Sequence, residues 1–196
     1  MITAILGLLT AVVYGSADFV AAMATRRIRV LAVTAGSSIT GLMALIAMVP
    51  IFGADYSQSA IAWGFAAGLF SVTALISLYA SLAIGPISII SPLGALISAI
   101  VPAIIGVALM GEEFSTTGWL AILVGLIAVV LIGMVPDSTG ARPKLKAILL
   151  AIAAGISIGL AVSSLAQSPG DSGIAPVITM RGTAAAILLL LNVPWI

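Results

Sequence analysis

The chain has 196 residues, of which 62% are hydrophobic and 7% are charged, whereas an average soluble domain has roughly 25% charged residues. Seven basic and six acidic residues nearly balance, so no basic surface is available to neutralise the phosphates of a nucleic acid. The sequence contains no Cys and no His, which excludes disulfides, Cys/His zinc sites and His-dependent catalysis. We therefore expect no metal, no cofactor and no enzymatic activity.

Seven apolar windows follow one another along the chain, and each meets the roughly 20 residues that a membrane-spanning helix requires. In chain order they cover residues 2–24, 30–52, 60–84, 86–110, 116–135, 145–167 and 174–196. The first window lacks a preceding basic segment and is too long for the apolar part of a cleaved signal, so it is predicted to be a retained helix. The connections are short, and the chain is predicted to be a single all-α integral membrane domain.

The distribution of charge predicts an orientation. Basic residues cluster at 25–29 and at 142–146, and alternate crossing of the membrane places both clusters on the same face. The positive-inside rule makes that face cytoplasmic, in a multi-pass protein of the cell membrane. The acidic connections, which contain Asp55, Glu112, Glu113 and Asp171, are then outside together with the N-terminus.

A weak internal repeat is visible. Sliding the sequence by 143 residues superimposes residues 4–6 and 11 on residues 147–149 and 154, and sliding by 144 superimposes residues 49–50 on residues 193–194. Such matches arise easily by chance in Ala- and Leu-rich segments. Because five is an odd number, the second copy of a five-helix repeat would cross the membrane in the opposite direction to the first. Such inverted repeats are a common plan of secondary transporters.

This plan predicts three parts: a complete five-helix repeat at residues 1–135, a cytoplasmic basic loop at 136–144, and an incomplete second repeat at 145–196. The sequence stops within or just beyond an apolar run, LLLLNVPWI. We therefore expect a truncated chain that has two of the five helices of its second repeat.

Residues 79–133 resemble the signature region of the EamA branch of the drug/metabolite transporter superfamily. The resemblance rests on Gly85-Pro86, Ser91-Pro92, Pro102, Gly111-Glu112 and a small-residue helix with Gly118 and Gly125. The segment YGSADFVAAMATRR at 14–27 is similar to the aromatic-Gly-Ser opening of the same family. The resemblance implies ten helices in two inverted repeats around a substrate cavity, and transport of small metabolites by alternating access. It also implies cytoplasmic termini, whereas the charges predict an external N-terminus.

Two charged residues lie inside predicted spans. Asp18 is the only acid well within a span, and an ionised carboxylate in hydrocarbon is costly unless it is paired or faces a cavity. It is a candidate substrate or proton site, or else an interfacial residue that reaches Arg26 and Arg27. Arg181 could bind a substrate carboxylate, or it could extend to the outer interface. The two residues are predicted to lie too far apart in depth to pair.

Hydroxyl groups and prolines complete the set of candidate pathway residues. Tyr14, Ser91 and Ser98 offer hydrogen-bonding groups, although serine in membrane helices often packs or bonds its own backbone. Pro92 and Pro102 are predicted to bend the fourth helix around a central cavity. The G-x-x-x-G segments at 64–68 and 155–159 are predicted to let helices pack closely. The second segment also matches G-x-S-x-G, but a hydrolase would need a His to activate Ser157.

The leading hypothesis is therefore a permease that moves a small metabolite by alternating access, with Asp18 as the binding or coupling group. The alternative is a nonfunctional fragment, or a membrane subunit that needs a partner chain to complete its bundle. The expected partners are the lipid bilayer, a small-molecule substrate and a coupling proton, and a homo-oligomer is left open. An ion channel is disfavoured because no filter-like loop or ring-forming acidic motif is present in the sequence.

Overall fold

The computed structural model describes residues 2–109, 111, 113, 115–134 and 144–192. These residues form seven helices: α1 (Ile2–Thr25), α2 (Val30–Phe52), α3 (Gln58–Ile84), α4 (Ile87–Leu109), α5 (Thr116–Met134), α6 (Leu145–Ala166) and α7 (Ala175–Asn192). They confirm the predicted all-α architecture. Helix α3 begins before the predicted residue 60, because the Ser57 hydroxyl accepts a hydrogen bond from the Ala60 amide and caps the helix.

Five of the helices are long and apolar enough to cross a membrane, by length and composition. The spans are Gly7–Thr25, Val30–Phe52, Gln58–Ile84, Ile87–Ala108 and Leu145–Ala166. Helices α5 and α7 contain shorter apolar stretches within the described residues, Thr116–Ala128 and Ala175–Leu191. Large apolar side chains such as Val12, Met43 and Val124 are exposed, which suits contact with lipid rather than water. The chain is an integral membrane protein.

The packed part of the molecule is built on α3 and α6. Helix α6 packs between α3 and α4, and α7 packs between α2 and α3. Helix α5 packs chiefly on α4, and α1 makes lighter contact with α2, α3 and α4. One buried cluster joins α1, α3, α4 and α6 through Ala22, Leu82, Ile90, Ala147 and Ala151. A second cluster joins α2, α3 and α7 through Ala35, Val72, Ala184 and Leu188.

The two G-x-x-x-G segments lie at close helix contacts, which confirms their predicted role in packing. A Cβ atom added to Gly68 would lie 2.6 Å from Cβ of Thr183 on α7. A Cβ atom added to Gly159 would lie 2.5 Å from Cβ of Val101 on α4. Only glycine permits these backbones to approach so closely. Ser157 lies buried within α6, so its segment is a packing motif and not a strand-to-helix turn.

The connection after α2 pairs with the connection before α7. The Asp55 amide donates to the Ser172 carbonyl at 3.1 Å, and the Ile174 amide donates to the Gly53 carbonyl at 3.0 Å. Gly53 and Gly173 both adopt positive φ angles, which glycine accepts without steric cost. We call this pairing of residues 53–55 with 172–174 the loop clasp. It places the connections that contain Asp55 and Asp171 on the same face, as predicted.

The other ends of α1, α3 and α6 meet on the opposite face. The Arg26 guanidinium donates to the carbonyl of Gly85 at 3.4 Å, where positive charge complements the C-terminal end of α3. Ala22 and Ala147 belong to the same buried cluster. The basic residues at 26–29 and at Lys144 and Lys146 therefore share one face, which we call the basic face. Residues 135–143, including most of the predicted loop at 136–144, lie outside the described residues.

Candidate functional site

Asp18 and Ser91 form a hydrogen bond between two membrane helices. The Ser91 hydroxyl donates to the Asp18 carboxylate at 2.7 Å, and both residues are half-buried. Asp18 precedes the end of α1 at Thr25 by seven residues, about 10 Å at 1.5 Å per residue. The structure thus brings together two of the predicted pathway residues, below the basic face. Arg26 instead contacts Gly85.

The helix that supplies Ser91 contains both predicted kink residues. Helix α4 runs from Ile87 to Leu109 with Pro92 and Pro102 inside it. Pro92 has no amide hydrogen to donate to the carbonyl of Ser88, and Pro102 has none for the carbonyl of Ser98. Each proline therefore leaves the backbone carbonyl oxygen of a serine without its usual helical partner. The predicted bend of α4 around a cavity stays a prediction.

A second interhelical polar contact lies at a similar depth. The Ser37 and Tyr79 hydroxyls are 3.3 Å apart and join α2 to α3, and Tyr79 is only 7% exposed. Sequence reasoning missed Tyr79 as a candidate. Counting residues from the basic face would have identified the pair. Ser37 follows the start of α2 by seven residues and Tyr79 precedes the end of α3 by five, so the two hydroxyls are at similar depths. We call Asp18, Ser91, Ser37 and Tyr79 the polar layer.

An apolar cluster separates the two pairs of the polar layer. Ala21, Tyr79, Leu82 and Ile90 belong to the same buried cluster, and Ile90 is the neighbour of Ser91 in the chain. The aromatic ring of Tyr79 thus packs in the apolar cluster while its hydroxyl reaches Ser37. This arrangement fixes α1, α2, α3 and α4 relative to one another at this depth, through two hydrogen bonds and the cluster between them.

The other three predicted pathway residues lie elsewhere. Tyr14 is 64% exposed on α1, one turn farther from the basic face than Asp18. The Ser98 hydroxyl donates to the carbonyl of Ala95 at 2.8 Å, so it bonds its own helix. The Arg181 side chain lies against Gly41 of α2, where a Cβ atom would be 3.7 Å from its Nε atom. Arg181 is therefore separate from the bond between Asp18 and Ser91.

The chemistry available in the polar layer is that of one carboxylate and three hydroxyls. A carboxylate can hold a proton or a cationic group, and hydroxyls can donate to or accept from a neutral polar ligand. Among the described residues, no group of three or more acidic, Cys or His side chains could hold a metal ion. The arrangement suits reversible binding of a small polar molecule at a helix interface.

Comparison with known proteins gives one match. A family model described as the EamA-like transporter family matches residues 1–134. No curated protein matches the chain, and no solved structure matches it. The family match covers α1 to α5, so it includes both Asp18 and Ser91.

Proposed function

The chain belongs to the EamA-like transporter family, and from this premise we propose that it moves a small molecule across the membrane by alternating access. The proposal assigns residues 1–135 to a first five-helix repeat and residues 145–196 to part of a second. The observation that supports it best is the 2.7 Å hydrogen bond from Ser91 to Asp18. A carboxylate inside a membrane span is costly to maintain, and here the carboxylate of α1 accepts a hydrogen bond from α4.

Asp18 acts in this proposal as the group whose partner changes during transport. In the described arrangement its carboxylate is bound by Ser91 on α4. A proton or a polar group of the substrate that binds Asp18 would compete with this hydrogen bond and loosen α1 from α4. Loosening matters because α1 contacts the rest of the bundle more lightly than α6 and α7 do. A ligand that binds one arrangement of the helices better than another shifts the population between them.

In the same proposal, Ser91 and the adjacent Pro92 let α4 change conformation when Asp18 changes its partner. Pro92 leaves the Ser88 carbonyl without its helical donor, so the backbone there resists bending less than a regular helix does. The Ser91 hydroxyl is the neighbouring group that holds α4 to α1. We propose that α4 bends at Pro92 when the bond between Ser91 and Asp18 opens. The basic face is cytoplasmic in this proposal.

Transport in proteoliposomes tests the proposal. The full chain would be reconstituted, and uptake of radiolabelled amino acids, monocarboxylates and amines would be measured with and without an imposed proton gradient. We expect Asp18→Asn to lower transport at least tenfold and to abolish any response to the gradient. The asparagine side chain still accepts a hydrogen bond from Ser91, so the fold is preserved while the charge is removed.

The matched control is Asp55→Asn, because Asp55 is an exposed acid in the loop clasp and makes its clasp contact through its backbone amide. We expect this variant to transport as the wild type does. Asp18→Glu should recover part of the activity, since it restores the charge. Equal transport by wild type and Asp18→Asn at every pH would contradict the assigned role of Asp18.

A further inference from the structure

The Arg181 side chain contacts the middle of a membrane helix. Its Nε, Cδ and Cζ atoms lie 3.7, 3.8 and 3.9 Å from the position that a Cβ atom on Gly41 would occupy. Gly41 is the central residue of the 23-residue helix α2 (Val30–Phe52). An arginine that extended to the outer interface would instead lie beside the end of α2, near Phe52. The guanidinium therefore lies at mid-depth, between α7 and α2.

A positive charge at this depth is costly unless it is paired or faces a cavity. In the part of the chain that the structure describes, Arg181 has neither an ion pair nor a hydrogen bond. The acids described are Asp18, whose carboxylate Ser91 binds, and Asp55, Glu113 and Asp171, which are exposed in connections between helices. No carboxylate among the described residues is thus positioned to neutralise Arg181, and a bound anion would supply the missing negative charge.

Ser38 provides a second polar group nearby. It precedes Gly41 by three residues, so the two residues share one face of α2. Ser38 is fully buried, and its hydroxyl has no hydrogen-bond partner among the described residues. A buried hydroxyl without a partner is unfavourable, and a ligand that reaches this face of α2 would supply one. Because Gly41 has no side chain, the Arg181 side chain can lie against this face of α2.

We propose that Arg181 binds the carboxylate of the transported molecule at mid-membrane, with Gly41 providing the space and Ser38 a second donor. This inference rests on the proposed function and adds a substrate class to it, namely small monocarboxylates. The planar guanidinium binds a carboxylate through two parallel hydrogen bonds. One arginine neutralises one negative charge, whereas a phosphate monoester carries about −1.5 to −2 near neutral pH and would leave an excess charge in the membrane.

Binding to the purified full chain in phosphatidylcholine nanodiscs tests this assignment. The probes are benzoate and its neutral counterpart benzamide, which differ in charge but hardly in shape, and affinities would be measured by calorimetry. We expect the wild type to bind benzoate at least tenfold more tightly than benzamide. Arg181→Gln should abolish that preference, and Arg181→Lys should reduce it, since lysine keeps the charge without the planar fork.

Two further variants keep the test decisive. Arg27→Gln removes an exposed basic residue in a connection between helices and should leave the preference for benzoate unchanged. Gly41→Leu keeps the arginine but fills the space beside it, and should weaken benzoate binding at least fivefold even if Arg181→Gln fails to fold. Equal affinity of the wild type for both probes would overturn the inference, as would an unchanged preference in Arg181→Gln or an unchanged affinity for benzoate in Gly41→Leu.

A lipid headgroup is the other source of an anion. Native mass spectrometry of nanodiscs with phosphatidylglycerol would overturn the inference if Arg181 retained that lipid and excluded benzoate. The outcomes also separate this inference from the proposed function. Transport that depends on Asp18, together with equal binding of both probes, overturns only the assignment of Arg181. Benzoate binding that depends on Arg181 without any transport overturns only the proposed function.

Discussion

Helices α1 and α6 have similar lengths, 24 and 22 residues, and each carries small residues at every fourth position. In α6 these residues are Ala147, Ala151, Gly155 and Gly159, and all are buried. In α1 they are Gly7, Ala11 and Gly15, and all are exposed. The weak repeat in the sequence superimposes Ala11 on Ala154, which has no exposed surface. Similar spacing has thus produced two different environments.

The difference arises from the neighbours of each helix. Helix α6 lies between α3 and α4, and its glycines meet Ile97 and Val101 of α4. No atom of another helix in the described residues lies within 4 Å of a Cβ atom added to Gly7 or Gly15. Apolarity is sufficient to place a helix in the membrane, where lipid solvates it as well as protein does. Small residues permit close packing, but a partner helix must supply it.

Substitution of these glycines by leucine would test this contrast most directly. Gly159→Leu must displace Val101, whose Cβ atom would lie 2.5 Å from the new Cβ atom, and overpacking of this kind costs about 3 kcal/mol. A Cβ atom at Gly15 meets nothing within 4 Å, so Gly15→Leu should not lower the free energy of unfolding by more than about 0.5 kcal/mol. Unfolding by SDS in mixed micelles would measure both values.

The two variants are matched in residue type and in helical location, so differences in helix propensity cancel between them. Equal losses of stability in Gly159→Leu and Gly15→Leu would show that α1 packs as closely as α6 does. The comparison between the two helices would then be wrong.

The loop clasp extends the packed side of the molecule to its surface, and Gly173→Ala tests its contribution. Gly173 has φ +56°, and a Cβ atom there would lie 2.5 Å from the Gly53 carbonyl oxygen. We expect a loss of about 1–2 kcal/mol, from the positive φ of a residue with a side chain, together with faster hydrogen exchange at Asp55 and Ile174. Exchange measured by mass spectrometry would check this expectation.

The control for this variant is Gly170→Ala, in the same connection, because a Cβ atom there meets nothing within 4 Å. It should leave both the stability and the exchange rates unchanged. Rapid exchange of the Asp55 amide already in the wild type would mean that the clasp contributes nothing to stability.

The sequence predicts where helices begin and end more fully than it predicts which faces meet. Windows of about 20 apolar residues, separated by charges, glycine and proline, define each helix independently of the others. The side of each helix that packs against its neighbours is harder to predict, because helices that are apolar all round show no periodicity that marks an inner side. Asp18 was therefore predictable as a residue that needs a partner, and Ser91 as a neighbour of a proline. The hydrogen bond between them could be identified only from the three-dimensional arrangement of α1 and α4.

The same limitation explains why Tyr79 was not predicted, and why Tyr14 and Arg181 lie apart from the contact between Asp18 and Ser91. Tyr79 lies in a segment whose glycines and prolines carried the family resemblance, and its pairing with Ser37 depends on the facing of α2 and α3. Tyr14 is exposed on α1, since that side of α1 meets no other helix among the described residues. The position of Arg181 inside a span was predictable from the sequence. The direction of its side chain toward Gly41 was not.

The smallest of the expected effects concerns the polar contact that joins α1 to α4, the hydrogen bond between Asp18 and Ser91. Ser91→Ala should lower the free energy of unfolding by about 1 kcal/mol, since hydrogen bonds between membrane helices contribute little on average and the carboxylate loses a donor. The matched variant Ser98→Ala removes a hydroxyl from the same helix that bonds only to Ala95, and it should have almost no effect. A double-mutant cycle with Asp18→Ala, which removes the acceptor, isolates the pairwise energy. If that energy is zero, the hydrogen bond between Asp18 and Ser91 does not hold α1 to α4, and the weak packing of α1 has no compensating polar contact at this depth.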